Sequence, residues 1–108
     1  MNVKQLAEAL KLKTYNAGAQ DREVAGCYIG DLLSRVMSRA DRGDLWITIM
    51  PNINVAAVAV LSEVSCVVLA EDVTPDAELL EKCVKENVAL YGSVLSAYAL
   101  ACEINKVI

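Results

Sequence analysis

Six residues hold the most suggestive polar chemistry of the chain: Arg22, Gly30, Asp31, Thr48, Asn52 and Asn54. All lie around the ends of β-prone segments. A guanidinium at Arg22 can pair with an anionic group, and the Asn52 and Asn54 amides offer both donors and acceptors. In an open α/β sheet, a ligand sits outside the C-terminal strand ends and above helix N-termini. A rim of these six residues would suit a nucleotide or another phosphorylated metabolite. Asp31 and Asn54 are explained equally well as helix caps, and Arg22 and Asn52 fit structural roles as readily as binding ones.

Other chemistry is excluded or unsupported. There are no histidines, so the chain cannot hold a Ser/His/Asp triad, a two-histidine zinc site or a histidine pH switch. Gly26-Cys27-Tyr28-Ile29-Gly30 lacks the lysine of a phosphate-cradling loop and fails the Gly-x-Gly-x-x-Gly spacing. Its glycines read as turn or strand-end residues. Cys27, Cys66, Cys83 and Cys102 form no C-x-x-C unit and no iron–sulfur spacing, and their apolar neighbours predict small buried hydrophobes. Asp41, Arg42 and Asp44 read as a solvated turn rather than a metal site, and Glu71, Asp72 and Asp76 as charges favoured near a helix start. Tyr28, Trp46, Tyr91 and Tyr98 are scattered, as core or interface aromatics are. No catalytic residue, cofactor or metal is assigned; an enzyme would need a base or electrophile that these residues do not supply.

The elements that must position the rim follow from periodicity. Val3, Leu6, Ala7 and Leu10 recur at helical spacing, predicting a helix over about 3–11. A polar turn follows over 16–21, and a short strand over 24–29 ends at Gly30-Asp31. Asp31 is placed to cap a helix carrying Leu32, Leu33, Val36 and Met37, which should stop near 41–44 with Gly43 as a left-handed cap. Residues 45–50 and 64–70 read as strands covered on both faces. Between them, Pro51 breaks the chain and Asn52 or Asn54 caps a helix over about 55–62. Thr74 and Pro75 predict the start of the next helix, whose stripe is Leu79, Leu80, Cys83 and Val84 and which closes at Asn87. A strand over 88–91 and a helix from Gly92-Ser93 to about Lys106 complete the series. Buried strands alternating with helices imply a single three-layer α/β/α domain over 1–108 with a small, at least partly parallel sheet.

Charge bounds the partners. Lys+Arg 10 against Asp+Glu 14 gives a formal charge of −4, which opposes binding to nucleic acid or to anionic membranes. Arg35, Arg39 and Arg42 share one helix face, which reads most simply as a solvated surface. The first residues lack the apolar stretch of a signal peptide, and no apolar run is long enough to span a bilayer, so a cytoplasmic location is expected.

The same segments carry a family likeness. Gly26-x-Tyr28-x-Gly30-Asp31-Leu32-Leu33-Ser34, then Gly43-Asp44-Leu45-Trp46-Ile47-Thr48 and Asn54-Val55-x-Ala57-Val58-Ala59, resemble a DRTGG domain. Such domains are similar to the N-terminal domain of HPr kinase/phosphorylase. The likeness runs from about Val3 through the last helix. The name-giving stretch is represented by Asp21-Arg22-Glu23 with Gly26 further on, and Met50 and Asn52 stand where relatives often have Gln and His.

The resemblance implies a non-catalytic regulatory or adaptor domain, linked through the setting of stand-alone copies to hydrogenase or other electron-transfer metabolism. The expected partners are a second copy, forming a homodimer through the two C-terminal elements, and a metabolic or signalling protein. The alternative is a sensor that binds its small ligand at the rim.

Overall fold

Ten segments of the computed structural model, which describes residues 1–108, take regular structure. They are α1 (Val3–Ala9), β1 (Lys13–Asn16), β2 (Gly26–Ile29), α2 (Leu33–Arg39), β3 (Asp44–Thr48), α3 (Asn54–Ser62), β4 (Cys66–Leu69), α4 (Ala77–Glu86), β5 (Leu90–Gly92) and α5 (Ala97–Asn105). The sheet order is β1-β5-β4-β3-β2. Neighbours from β2 to β5 are parallel, and β1 closes the far edge antiparallel to β5. No helix is long and apolar enough to cross a membrane.

Strand alternation divides the core in two. Leu45, Ile47, Cys66, Val68 and Tyr91 meet Val3 and Leu6 of α1 and Leu100 and Ile104 of α5. Trp46, Val67, Leu69 and Leu90 meet Val36 of α2, Val55 and Val58 of α3, and Leu79 and Cys83 of α4. All five residues of β3 and all four of β4 are buried, which explains their almost unbroken apolar sequence. Full burial of such a side chain contributes about 1.5–3 kcal/mol, so these two strands dominate the stability of the sheet. The result is the three-layer α/β/α fold with a mixed sheet.

Several expected boundaries move, for local reasons. β1 falls where only the approach to a polar turn was expected. Asn16 ends this strand, and its Nδ2 donates to the carbonyls of Val88 at 2.7 Å and Cys83 at 3.2 Å. Asp31 does not cap α2, whose N-cap is Leu32 with no side-chain cap bond. That helix stops at Arg39, before Gly43, whose φ of 86° instead serves the turn into β3. Neither asparagine caps α3 with its side chain, and α4 begins after Asp76 rather than at Thr74. The side-chain caps lie elsewhere. Asn2 and Gln5 form a capping box on α1, and Ser96 accepts from the Ala99 N–H of α5.

Candidate functional site

Gly30 and Asp31 leave β2 at the end where β3 also finishes. The Gly30 N–H donates to the Ile47 carbonyl at 3.1 Å, and its own carbonyl accepts from Trp46 Nε1 at 2.9 Å. This holds the chain close enough for Asp31 to cross over the end of β3. Asp31 Oδ1 accepts from the Thr48 hydroxyl at 2.8 Å and from the Ile49 N–H at 3.0 Å. Thr48 Oγ1 in turn accepts from the Met50 N–H at 3.2 Å. Two loop residues further on, Asn52 Oδ1 accepts from the Asn54 N–H at 3.0 Å, turning the chain into α3.

Five of the six expected rim residues therefore share one end of the sheet. Gly30, Asp31 and Thr48 are directly linked, with Asn52 and Asn54 on the loop that follows. Arg22 is not with them. Its guanidinium donates to the carbonyls of Val64 at 2.7 Å and Glu63 at 2.8 Å, just before β4 begins. It lies at the opposite end of the sheet, beside a groove of about 370 Å³ that is also lined by Arg42, Glu63 and Glu86. Arg42 pairs with Glu63 at 3.4 Å, so the two arginines and two glutamates of the groove balance.

The rim's electrostatics limit what it can hold. The loops after β2, β3, β4 and β5 contain Asp31, Glu71, Asp72 and Asp76 and no lysine or arginine. Those loops alone repel a phosphate while offering acceptors to hydroxyl or amino groups. They are also tied together: Asp76 N–H donates to the Pro51 carbonyl at 2.9 Å.

The cysteines split. Cys66 and Cys83 are buried as expected, whereas Cys27 and Cys102 are exposed. Burial pushes the Cys66 thiol up to about 12 and Cys83 up to about 11. Cys27 also rises to about 11, through partial burial of its thiol and then the Asp44 carboxylate. These three remain neutral thiols near pH 7 and are poor nucleophiles. Asp44 itself is buried, and its Oδ2 accepts from the Asp41 N–H at 2.8 Å, so this acidic pair closes the turn before β3. No group of three or more thiols and carboxylates is gathered in a way that could hold a metal ion.

Layers and strand order define a three-layer α/β/α domain with a mixed, largely parallel sheet. No family model and no curated protein matches the sequence. Among solved structures, the chain is similar to the CBS and DRTGG domains of the regulatory region of Clostridium perfringens pyrophosphatase, complexed with the activator diadenosine tetraphosphate. The TM-score is 0.70 at 13% identity, over 95% of this chain and 45% of that one. The likeness is one of fold, and this chain spans less than half of the matched region.

Proposed function

We propose that the chain is a regulatory domain that responds to a nucleotide or related phosphorylated small molecule and passes its state on through protein contacts. The observation that carries this reading is the fold similarity over nearly the whole chain to a regulatory region complexed with a dinucleoside polyphosphate. Gly30, Asp31, Thr48, Asn52 and Asn54 would meet the hydroxyl or amino groups of such a ligand. Arg22, with its donors on two carbonyls, has a structural part. Calorimetry and thermal-shift titration with AMP, ADP, ATP and diadenosine tetraphosphate test the reading. A ligand of the native state raises the apparent Tm, and Asn52→Ala weakens it if the rim takes part. No heat and no shift with any of the four would rule out the ligand and leave an adaptor that acts through proteins alone.

Self-association rests on a separate observation. α3 has no charged residue, and its outer side presents Ala57, Val60 and Leu61, the last 68% exposed. A helix without a polar face is normally covered. The neighbouring α2 carries Arg35 and Arg39 and no acid, while Asp76, Glu78, Glu81 and Glu86 outnumber Lys82 and Lys85 on and just before α4. A two-fold axis parallel to these helices sets α2 of one copy against α4 of the other, so the surface complements itself. The molecule measures 31 × 26 × 25 Å, and one face offers on the order of 800 Å², about what each partner gives to a standard interface. We assign the homodimer to this helical face rather than to the C-terminal elements.

A further inference from the structure

We propose that the phosphoryl group of the ligand binds beside the ends of β4 and β5, in a cavity of about 310 Å³ lined by Lys11, Lys13, Asp72, Gly92, Ser93 and Leu95. This rests on the ligand reading above and gives the anionic part of the ligand a place that the acidic rim does not.

The ends of β4 and β5 and the start of β1 frame this position. β4 is followed by α4, which packs on the α2–α3 side, and β5 by α5, which packs with α1 on the other. Here alone do helices following adjacent parallel strands leave the sheet on opposite faces. The two loops are fixed against each other. Glu71 N–H donates to the Leu95 carbonyl and Asp72 N–H to the Ser93 carbonyl, both at 2.8 Å. The cavity is bounded by residues of both loops and by Leu10, Lys11 and Lys13 from the α1–β1 side.

The cations come from outside those loops, from the connection between α1 and β1. Because β1 runs antiparallel to β5, it starts where β5 ends, and Lys13 stands in register with Gly92. The Lys13 ammonium is 5.0 Å from the Tyr15 ring centroid, a cation–π contact that holds it near the sheet. Lys11 sits in a left-handed turn at φ 54° immediately after α1. Two ammonium groups thus face one carboxylate, Asp72, around this cavity, whereas the Arg22 groove at the other end is balanced. Gly92 lets the Tyr15 ring pack against the end of β5, since a Cβ there would come within 2.7 Å of that ring. The volume is at the small end of ligand sites, enough for a sugar phosphate or nucleoside monophosphate but not for a whole dinucleoside polyphosphate.

Calorimetric titration with AMP, ribose 5-phosphate and inorganic phosphate tests the site. Lys11→Ala/Lys13→Ala is expected to weaken AMP at least tenfold with only a small fall in Tm in the absence of ligand, because both lysines are exposed and only the Lys13–Tyr15 contact is lost. Arg42→Ala should leave affinity unchanged, and Asp72→Asn should tighten it. Unaltered AMP affinity in the double lysine variant overturns this site while leaving the ligand reading intact. If the wild-type chain binds none of these compounds, nor ADP, ATP or diadenosine tetraphosphate, both fall.

Discussion

The Thr48 hydroxyl donates to Asp31 Oδ1 at 2.8 Å, and through this bond the end of β3 is tied to the turn that follows β2. The same carboxylate oxygen also takes the Ile49 N–H. Asp31→Ala removes both bonds and leaves the buried Thr48 hydroxyl with one partner fewer. The expected loss is about 1–3 kcal/mol in urea denaturation, since hydrogen bonds to a charged group exceed the neutral average. Asp31→Asn retains an acceptor oxygen and should lose less than half as much. Equal losses for the two variants would mean that the carboxylate's charge, not its hydrogen bonding, matters at this turn.

How far the sequence discloses this arrangement depends on the kind of signal. β3 and β4 are legible because burial on both faces demands apolar residues throughout, as in Leu45-Trp46-Ile47. β1 is obscure because Lys13 and Thr14 are exposed on an edge strand, whose pairing with β5 is set by tertiary contact rather than by alternation. Asp31 illustrates a subtler gap. An aspartate before a helix matches the capping pattern, yet a threonine seventeen residues along the chain competes for its carboxylate once β2 and β3 pair. The grouping of Asp31 with Thr48 is visible from strand ends, whereas the position of Arg22 depends on the path of the long connection between β1 and β2. Lys11 and Lys13 belong to no motif at all; only the antiparallel register of β1 brings them to the ends of the parallel strands.

Arg22 acts as a brace. Its two terminal nitrogens reach separate carbonyls, Val64 and Glu63, that precede β4. Arg22→Ala leaves the Val64 carbonyl, on a buried residue, without this donor and should cost about 1–3 kcal/mol. Arg22→Lys should recover little, because a single ammonium lacks the planar fork that spans two acceptors. Thermal denaturation of both variants checks this. Recovery of wild-type stability by lysine would show that positive charge alone suffices.

Alkali should unfold the protein progressively. Burial raises the Cys66 thiol from 9.0 to about 12 and Cys83 from 9.0 to about 11 in the folded state. Between those limits the folded chain holds protons that the unfolded chain has released, so stability must fall as pH rises. The contribution is fully present below about pH 9 and is lost through the folded-state values. Tm measured from pH 8 to 11 should therefore decline, and Cys66→Ala, though less stable at pH 8 through lost packing, should show a shallower decline. An identical slope in that variant would assign the alkaline sensitivity to other groups, such as the buried Tyr91, whose hydroxyl burial also raises.

The uncharged outer side of α3 offers the most direct test of self-association. Leu61 is 68% exposed, so Leu61→Glu puts a carboxylate where the monomer loses almost no packing, but where a dimer must desolvate a charge. Light scattering at micromolar concentration should show the wild-type chain as a dimer and Leu61→Glu as a monomer with an unchanged Tm at low protein concentration. The proposed symmetry adds a second requirement. Arg35→Glu/Arg39→Glu should weaken the dimer by setting like charges against α4 of the second copy, and Glu78→Arg/Glu81→Arg in the same chain should restore it. Dissociation by Tyr98→Glu on α5, with Leu61→Glu remaining dimeric, would instead move the interface to the C-terminal elements.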